Sequence, residues 1–197
     1  MRTGLIVLAV IAVALIGVVV WGIGIVNGLV ALDQDVGAQW AQVQNQYQRR
    51  ADLIPNLVET VKGYAAHERT VLEEVTKARA SASSIQLTPE ALSDPEAMRR
   101  FQQAQNALSG ALSRLLVTVE RYPDLKANQN FMSLQTQLEG TENRISNERR
   151  RYNEVVRTYN VRVQTFPHRF VAGIAGYRPK AFFEATPDAA TPPRVKF

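Results

Sequence analysis

Twenty-two consecutive residues without a charge, Leu5 to Val26 (LIVLAVIAVALIGVVVWGIGIV), constrain this chain more than anything that follows them. At about 1.5 Å per residue, a helix of that length reaches roughly 33 Å, enough to cross a hydrocarbon core of about 30 Å. Trp21 stands near the C-terminal edge, where an amphipathic ring favours the membrane–water interface. A cleaved signal peptide is the rival reading. Its apolar region would run to about 7–15 residues, and no small-x-small cleavage site follows this one promptly. The segment therefore reads as an uncleaved anchor. Arg2 precedes it, whereas Asp33 and Asp35 follow it with no Lys or Arg before Arg49. The positive-inside bias places residues 1–4 in the cytoplasm and the soluble part outside the membrane.

The 197 residues leave room for this anchor, 5–26, and one domain of ordinary size. A net charge of +5, or +4 without Arg2, is too small to imply nucleic acid. The absence of cysteine removes disulfides, iron–sulfur clusters, thiolate zinc sites and cysteine nucleophiles together.

Beyond the anchor the apolar period is helical throughout. Val36, Trp40, Val43, Tyr47 and Ile54 recur at steps of three, four or seven, and the phase continues through Leu57, Val61 and Tyr64 to Val75. Pro55 falls inside this stripe. Either one long helix kinks there, or a first helix stops near Arg50 and a second starts at an Asp52 N-cap with Pro55 in its first turn. Both readings stand. Asp94-Pro95-Glu96 starts the next helix: a cap, a proline at N1 and an acid against the positive helix end. Pro123 ends it, because it disfavours helical geometry at Tyr122. A last long helix runs from about Gln129, with Phe131, Leu138, Ile145, Tyr152, Tyr159 and Val163 inward, and stops before Pro167. No alternating strand pattern of useful length occurs. The soluble part reads as all-α, with neighbours antiparallel, and residues 185–197, rich in Pro and Ala, read as disordered.

Tests for chemistry fail one after another. His67-Glu68 opens an H-E-x-x-H match, but Val71 occupies the second histidine's place. The di-iron pattern Glu-x-x-His fails at both His67 and His168, which have Tyr64 and Thr165 three residues earlier. No nucleophile elbow or phosphate loop is present, so neither catalysis nor a cofactor is expected. Arg49-Arg50, Arg99-Arg100 and Arg149–Arg151 have acids within a turn or two and read as solvated helix surface, not a nucleic-acid grip. Arg149–Arg151 with the aromatic tail would suit anionic lipid, as a second reading. A membrane-associated enzyme using bundle carboxylates, or a polar corner of Asp52, Lys126 and Asn128, is a third. Asn56 and Glu59, with Glu142, Asn143 and Arg144, suit a buried hydrogen-bonded layer that fixes helix register.

Three stretches, RRADLIPNLVETVKGYAAHE, YPDLKANQNFMSLQTQLEGTENRI and RRRYNEVVRTYNVRVQTFP, resemble the LemA family of bacterial membrane-anchored proteins. The resemblance covers residues 27–184. It implies an N-terminal transmembrane helix carrying an antiparallel four-helix bundle, on the bacterial inner membrane, with no established enzymatic activity. One departure is visible: Val26-Asn27 stands where the family often has Tyr-Asn. In the four-helix count, the stretch Asp52–Asn56, with Pro55, is where the first helix ends or bends and the second begins, and Arg50 and Glu59 are further structural or interaction candidates of the same motif. Tyr122, Pro123, Asp124, Lys126, Asn128 and Phe131 mark the corner before the last. The expected function is a scaffold or interaction protein whose partners are the bilayer, other envelope proteins and a second copy. A kinked first helix would leave the stripe Val36, Trp40, Val43 and Tyr47 short of partners, which makes it the expected face for self-association.

Overall fold

A computed structural model describes residues 2–184. The reading of 185–197 as a disordered tail lies outside those residues. Six helices follow in order: α1 (Arg2–Tyr64), α2 (Arg69–Ser84), α3 (Pro95–Val119), a single turn α4 (Pro123–Lys126), α5 (Gln129–Gln164) and α6 (His168–Ala175). A short 3-10 turn, Ala91–Ser93, precedes α3, and no strand occurs among the described residues.

The starts and stops follow local chemistry. The Asp94 carboxylate accepts from the Glu96 N–H at 2.9 Å at the head of α3, and the Asn128 side chain accepts from the Phe131 N–H at 3.1 Å at the head of α5. Each satisfies a donor that the first turn leaves unpaired. Pro123 sits in the first turn of α4, where its missing N–H is harmless. At the end of α6, Gly176 takes a positive φ of 81°, a conformation that costs glycine nothing.

Pro55 lies inside α1, which runs unbroken to Tyr64. Of the two readings of this proline, the restart at Asp52 is therefore excluded, and the first joint is not at 52–56 but at Ala65–Glu68. There the Glu68 N–H donates to the Ala65 carbonyl at 3.0 Å. The helix survives because the lost bond is replaced. Pro55 leaves the Ala51 carbonyl, four residues back, without its donor. Arg79 of α2 supplies one, Nε to the Ala51 oxygen at 2.7 Å.

α1 packs chiefly on α5, and α2 on α3. Along the first pair, Gln39 meets Glu148, Arg50 meets Glu142 and Tyr64 meets Asn128. The interior falls into two apolar clusters. One, towards the apolar segment, gathers Ile25, Leu29, Trp40, Phe101, Tyr152 and Tyr159. The other gathers Ile54, Val61, Leu72, Leu115, Leu125 and Phe131. Residues 5–20 touch nothing comparable and their large side chains stay exposed. This is the described chain's helix long and apolar enough to cross a membrane.

The stripe expected to bind a second copy is covered within the chain. Val36, Trp40, Val43 and Tyr47 are between 0% and 8% exposed. Trp40 meets Phe101 and Tyr152 edge-on and stacks on Phe183, at centroid distances of 5.4, 5.5 and 5.9 Å. Its indole N–H donates to the Leu87 carbonyl at 3.2 Å. The expectation fails because residues from the C-terminal segment, which carry no helical period, fill the space.

Candidate functional site

Between the two apolar clusters lies one polar layer, and Arg50 is its centre. The side chain is 1% exposed. Nη1 donates to Ser109 Oγ at 2.8 Å and to Glu142 Oε1 at 2.7 Å; Nη2 donates to Gln105 Oε1 at 2.5 Å. Gln105 passes the network on through Nε2 to the Ala82 carbonyl at 3.3 Å. One arginine on α1 is thus tied to α3 and α5 directly and to α2 through Gln105. Burying a guanidinium is tolerable only with such partners. Arg50 Nε has no acceptor among the described residues and lies beside Tyr47, whose ring centroid is 5.2 Å from Cζ. Burial pushes the Tyr47 hydroxyl pKa up, against the opposing charges of Arg149 and Arg50.

The expected layer exists, but with other members. Glu142 belongs to it. Asn56, Asn143 and Arg144 are exposed, and Glu59 is exposed beside Lys62, 3.6 Å away. For Asn56 and Glu59 the reason is that α1 continues past Pro55, so its face keeps turning and carries them outward; on α5, Asn143 and Arg144 follow Glu142 directly and turn away from the seam. Asp52 is likewise an exposed mid-helix residue that accepts from Gln48 at 2.7 Å, not a cap. It does not join Lys126 and Asn128 in a corner. Lys126 pairs with Glu120 at 2.5 Å, while Asn128 caps α5 and donates to the Tyr64 hydroxyl at 2.9 Å. Tyr122 donates to Glu68 at 2.9 Å, and that bond raises its pKa. Pro123 and Asp124 are exposed in the α4 turn, while Leu125 and Phe131 are buried beneath it.

A second constellation went unnoticed in the sequence: a clasp on residues 178–184. The Asn160 side chain donates to the Lys180 carbonyl and accepts from the Lys180 N–H, both at 2.8 Å. Asn153 does the same for Phe183, at 3.0 and 2.9 Å. Tyr159 and Tyr152, each one residue earlier, donate their hydroxyls to the carbonyls of Arg178 and Ala181 at 3.0 and 3.2 Å. From the opposite side, Gln102 of α3 accepts from the Glu184 N–H at 3.2 Å, and the Leu92 carbonyl accepts from the Ala181 N–H at 2.7 Å.

The geometry follows from two periods. Seven residues of helix rise about 10.5 Å, and three residues of nearly extended chain cover about 10 Å. A Tyr-Asn pair repeated after seven residues on α5 therefore meets every third residue of a strand-like segment running the other way. Side chains anchor it as well. Phe183 lies 5.3 Å from the Tyr152 ring with the Arg149 guanidinium 4.7 Å over it, and Lys180 pairs with Asp33 of α1 at 3.1 Å. The segment closes the seam between α3 and α5. Burial there raises the Tyr152 and Tyr159 pKa values, with Asp33 adding to the shift at Tyr159. The readable signal was the Y-N-x5-Y-N spacing, which puts two amides next to two inward tyrosines.

No group of three or more His, Asp or Glu side chains able to hold a metal occurs among the described residues. A surface groove of about 460 Å³ beside the arginine layer carries Glu139 and Glu142 among leucines. Both acids already accept hydrogen bonds, from Gln135 and from Arg50. Arg149, Arg150 and Arg151 sit near the level of Gln39, about 20 Å of helix rise beyond Val26.

The LemA family model matches residues 39–197. The chain is 26% identical over 182 residues to a magnetosome protein, MamQ 2, of Paramagnetospirillum magneticum, and 28% identical over the same length to the MamQ protein of Magnetospirillum gryphiswaldense. Each alignment covers 84% of this chain and 67% of the relative. The LemA protein of Metamycoplasma hominis is 24% identical over 164 residues, 83% of this chain and 71% of that one.

Proposed function

The chain belongs to the LemA family, and on that premise we propose that it is a single-pass membrane protein whose antiparallel four-helix bundle serves as a scaffold, without catalysis. One observation carries the reading: α1 passes from the apolar segment into the packed domain without a break. At about 1.5 Å per residue it is roughly 95 Å long. A flexible linker would let the domain wander; a continuous helix holds its surfaces at set heights above the bilayer. The interior polar groups support the same reading. Arg50, Gln105, Asn153 and Asn160 are engaged with helices and with the chain's own backbone. In this proposal the apolar segment crosses the bacterial inner membrane and the domain stands outside the cytoplasm. Other envelope proteins, and further copies, dock on the outer helix faces.

In-cell crosslinking followed by affinity recovery of the full-length protein tests this. Specific foreign partners or higher-order species of the chain are expected. Recovery of the uncrosslinked monomer alone would remove the scaffold reading. Protease digestion of spheroplasts tests the orientation: cleavage of the domain is expected, and full protection would reverse it.

A further inference from the structure

The end of the domain nearest the apolar segment carries a helix whose outer face has no partner among the described residues. α6 buries Ala172 against the cluster that holds Ile25, Leu29 and Val163. On the opposite side of α6 lie Phe170 and Ile174, four residues apart, with Phe166 in the turn just before the helix, and these three are 60%, 91% and 80% exposed. Few folded domains leave three large apolar side chains together in water.

Their level identifies what covers them. A cleft of about 300 Å³ beside α6 is lined by Trp21, Gly24, Ile25, Gly28 and Leu29 of α1, together with Arg162 and His168. These α1 residues straddle the end of the apolar segment, and each polar headgroup layer is about 5–8 Å thick. At that height a side chain leaving the domain in any direction meets lipid. The charge agrees. From Val155 to Phe183 the chain has no acid and five basic residues, of which Arg162, Arg169 and Arg178 are exposed around the apolar face. The acids nearest on α1 are Asp33, paired with Lys180, and Asp35, about 14 Å of rise beyond Val26. Gly24 and Gly28 add room, since a Cβ at either would meet nothing within 4 Å.

We propose that α6 is an interfacial docking helix: Phe166, Phe170 and Ile174 insert into the leaflet from which α1 emerges, and the Arg162–His168 cleft takes the phosphate of an anionic phospholipid. The basic face favours anionic over zwitterionic lipid, and the apolar face supplies area that water would otherwise cover. The inference rests on Leu5–Val26 being a membrane anchor, so its test includes a position that reports on the anchor alone.

Because the chain has no cysteine, single labels can be placed without further change. Ile174→Cys, Val117→Cys and Val13→Cys are each made in the full-length protein. They are labelled with a small environment-sensitive fluorophore and reconstituted in phosphatidylcholine vesicles, with or without phosphatidylglycerol. Quenching by lipids bearing a nitroxide near the headgroup should be several-fold stronger at 174 than at the distal, exposed 117, and aqueous iodide should show the reverse order. Adding Phe170→Asp should abolish the lipid quenching at 174. Arg162→Gln with His168→Gln should remove its enhancement by phosphatidylglycerol. If 174 matches 117 while 13 is strongly quenched, the anchor stands and the docking helix does not. If 13 is itself unquenched by lipid, the anchor reading and the docking fall together. Quenching at 174 indifferent to phosphatidylglycerol would overturn the phosphate cleft.

Discussion

Removing the Arg50 side chain should cost more than any other single truncation in the polar layer. Arg50→Ala leaves Gln105 Oε1 without its donor at a residue 6% exposed, strips one bond from Ser109, and opens space at a site 1% exposed. An orphaned buried acceptor costs about 1–3 kcal/mol, and the space left by the side chain at least about 2 kcal/mol more, about 3–5 kcal/mol in all. The partner predicts an asymmetry. Glu142 keeps 43% of its side chain exposed, where solvent already screens its charge, and Glu142→Gln keeps an amide oxygen that can accept from Arg50 Nη1, so the guanidinium stays hydrogen-bonded. Discounted for solvent screening, its loss is about 1 kcal/mol or less. For a domain of this size, each kcal/mol moves the melting temperature by about 2–4 °C, so Arg50→Ala should lower it by about 6–20 °C and Glu142→Gln by no more than about 4 °C. Thermal unfolding of the full-length protein in detergent, followed by circular dichroism, measures both. Equal effects of the two substitutions would refute the view that Arg50 is held mainly by buried neutral groups. A loss under about 1 kcal/mol for Arg50→Ala would refute the layer's importance altogether.

Arg79→Met should destabilise by about 1–3 kcal/mol by orphaning the Ala51 carbonyl, and the loss should shrink in a Pro55→Ala background, where residue 55 regains its own N–H; urea unfolding of the four proteins checks it, and an unchanged loss would break the link. Trp40→Asp should abolish cooperative unfolding and the near-ultraviolet dichroism, since a charge enters a site 2% exposed, at a cost of at least about 4 kcal/mol; a folded variant with altered mass by light scattering would restore the oligomer face. Asn153→Leu should speed hydrogen exchange at Phe183 and Glu184 by at least about tenfold, the equivalent of about 1.4 kcal/mol, with the middle of α5 unaffected; equal protection would mean that the clasp carries no stability. The buried tyrosines predict the alkaline limb of stability. Tyr47, Tyr152 and Tyr159 have pKa values raised in the folded state, whereas the unfolded value is about 10. Above about pH 10 the folded chain therefore holds more protons, so stability is complete below that pH and falls as pH rises beyond it. Urea midpoints that stay level from about pH 9 to about pH 11 would contradict this.

Some of this architecture could be read directly from residue order. The apolar run at Leu5–Val26 and the Asp94-Pro95-Glu96 start are local signals; the run lies inside α1, α3 begins at Pro95 as its cap indicates, and α5 begins at the expected Gln129. The first joint was misplaced because the loudest local signal, Pro55, is answered from 24 residues away in the chain. Ala65–Glu68 turns without any proline. In the polar layer, Glu142 was expected from its motif, whereas Arg49-Arg50 read as solvated helix surface and Arg50 is 1% exposed. Gln105 and Ser109 were not expected, because nothing in their own neighbourhood distinguishes a buried amide from a solvated one.

The misread Trp40 stripe has the same origin and a wider consequence. Helical periodicity reports that a face is apolar; it does not report what covers it. Here the cover is a segment with neither helical nor alternating period, held largely through its backbone by Asn153, Asn160 and Gln102. Those amides read peptide groups rather than side chains, so the segment's sequence is constrained mainly at Lys180 and Phe183, where Asp33 and the aromatic cluster receive it. Exchanging Phe182, which remains 43% exposed, should therefore matter far less than exchanging its neighbour. A partner chain able to displace the segment would need only an extended backbone with a cation and an aromatic ring three residues apart.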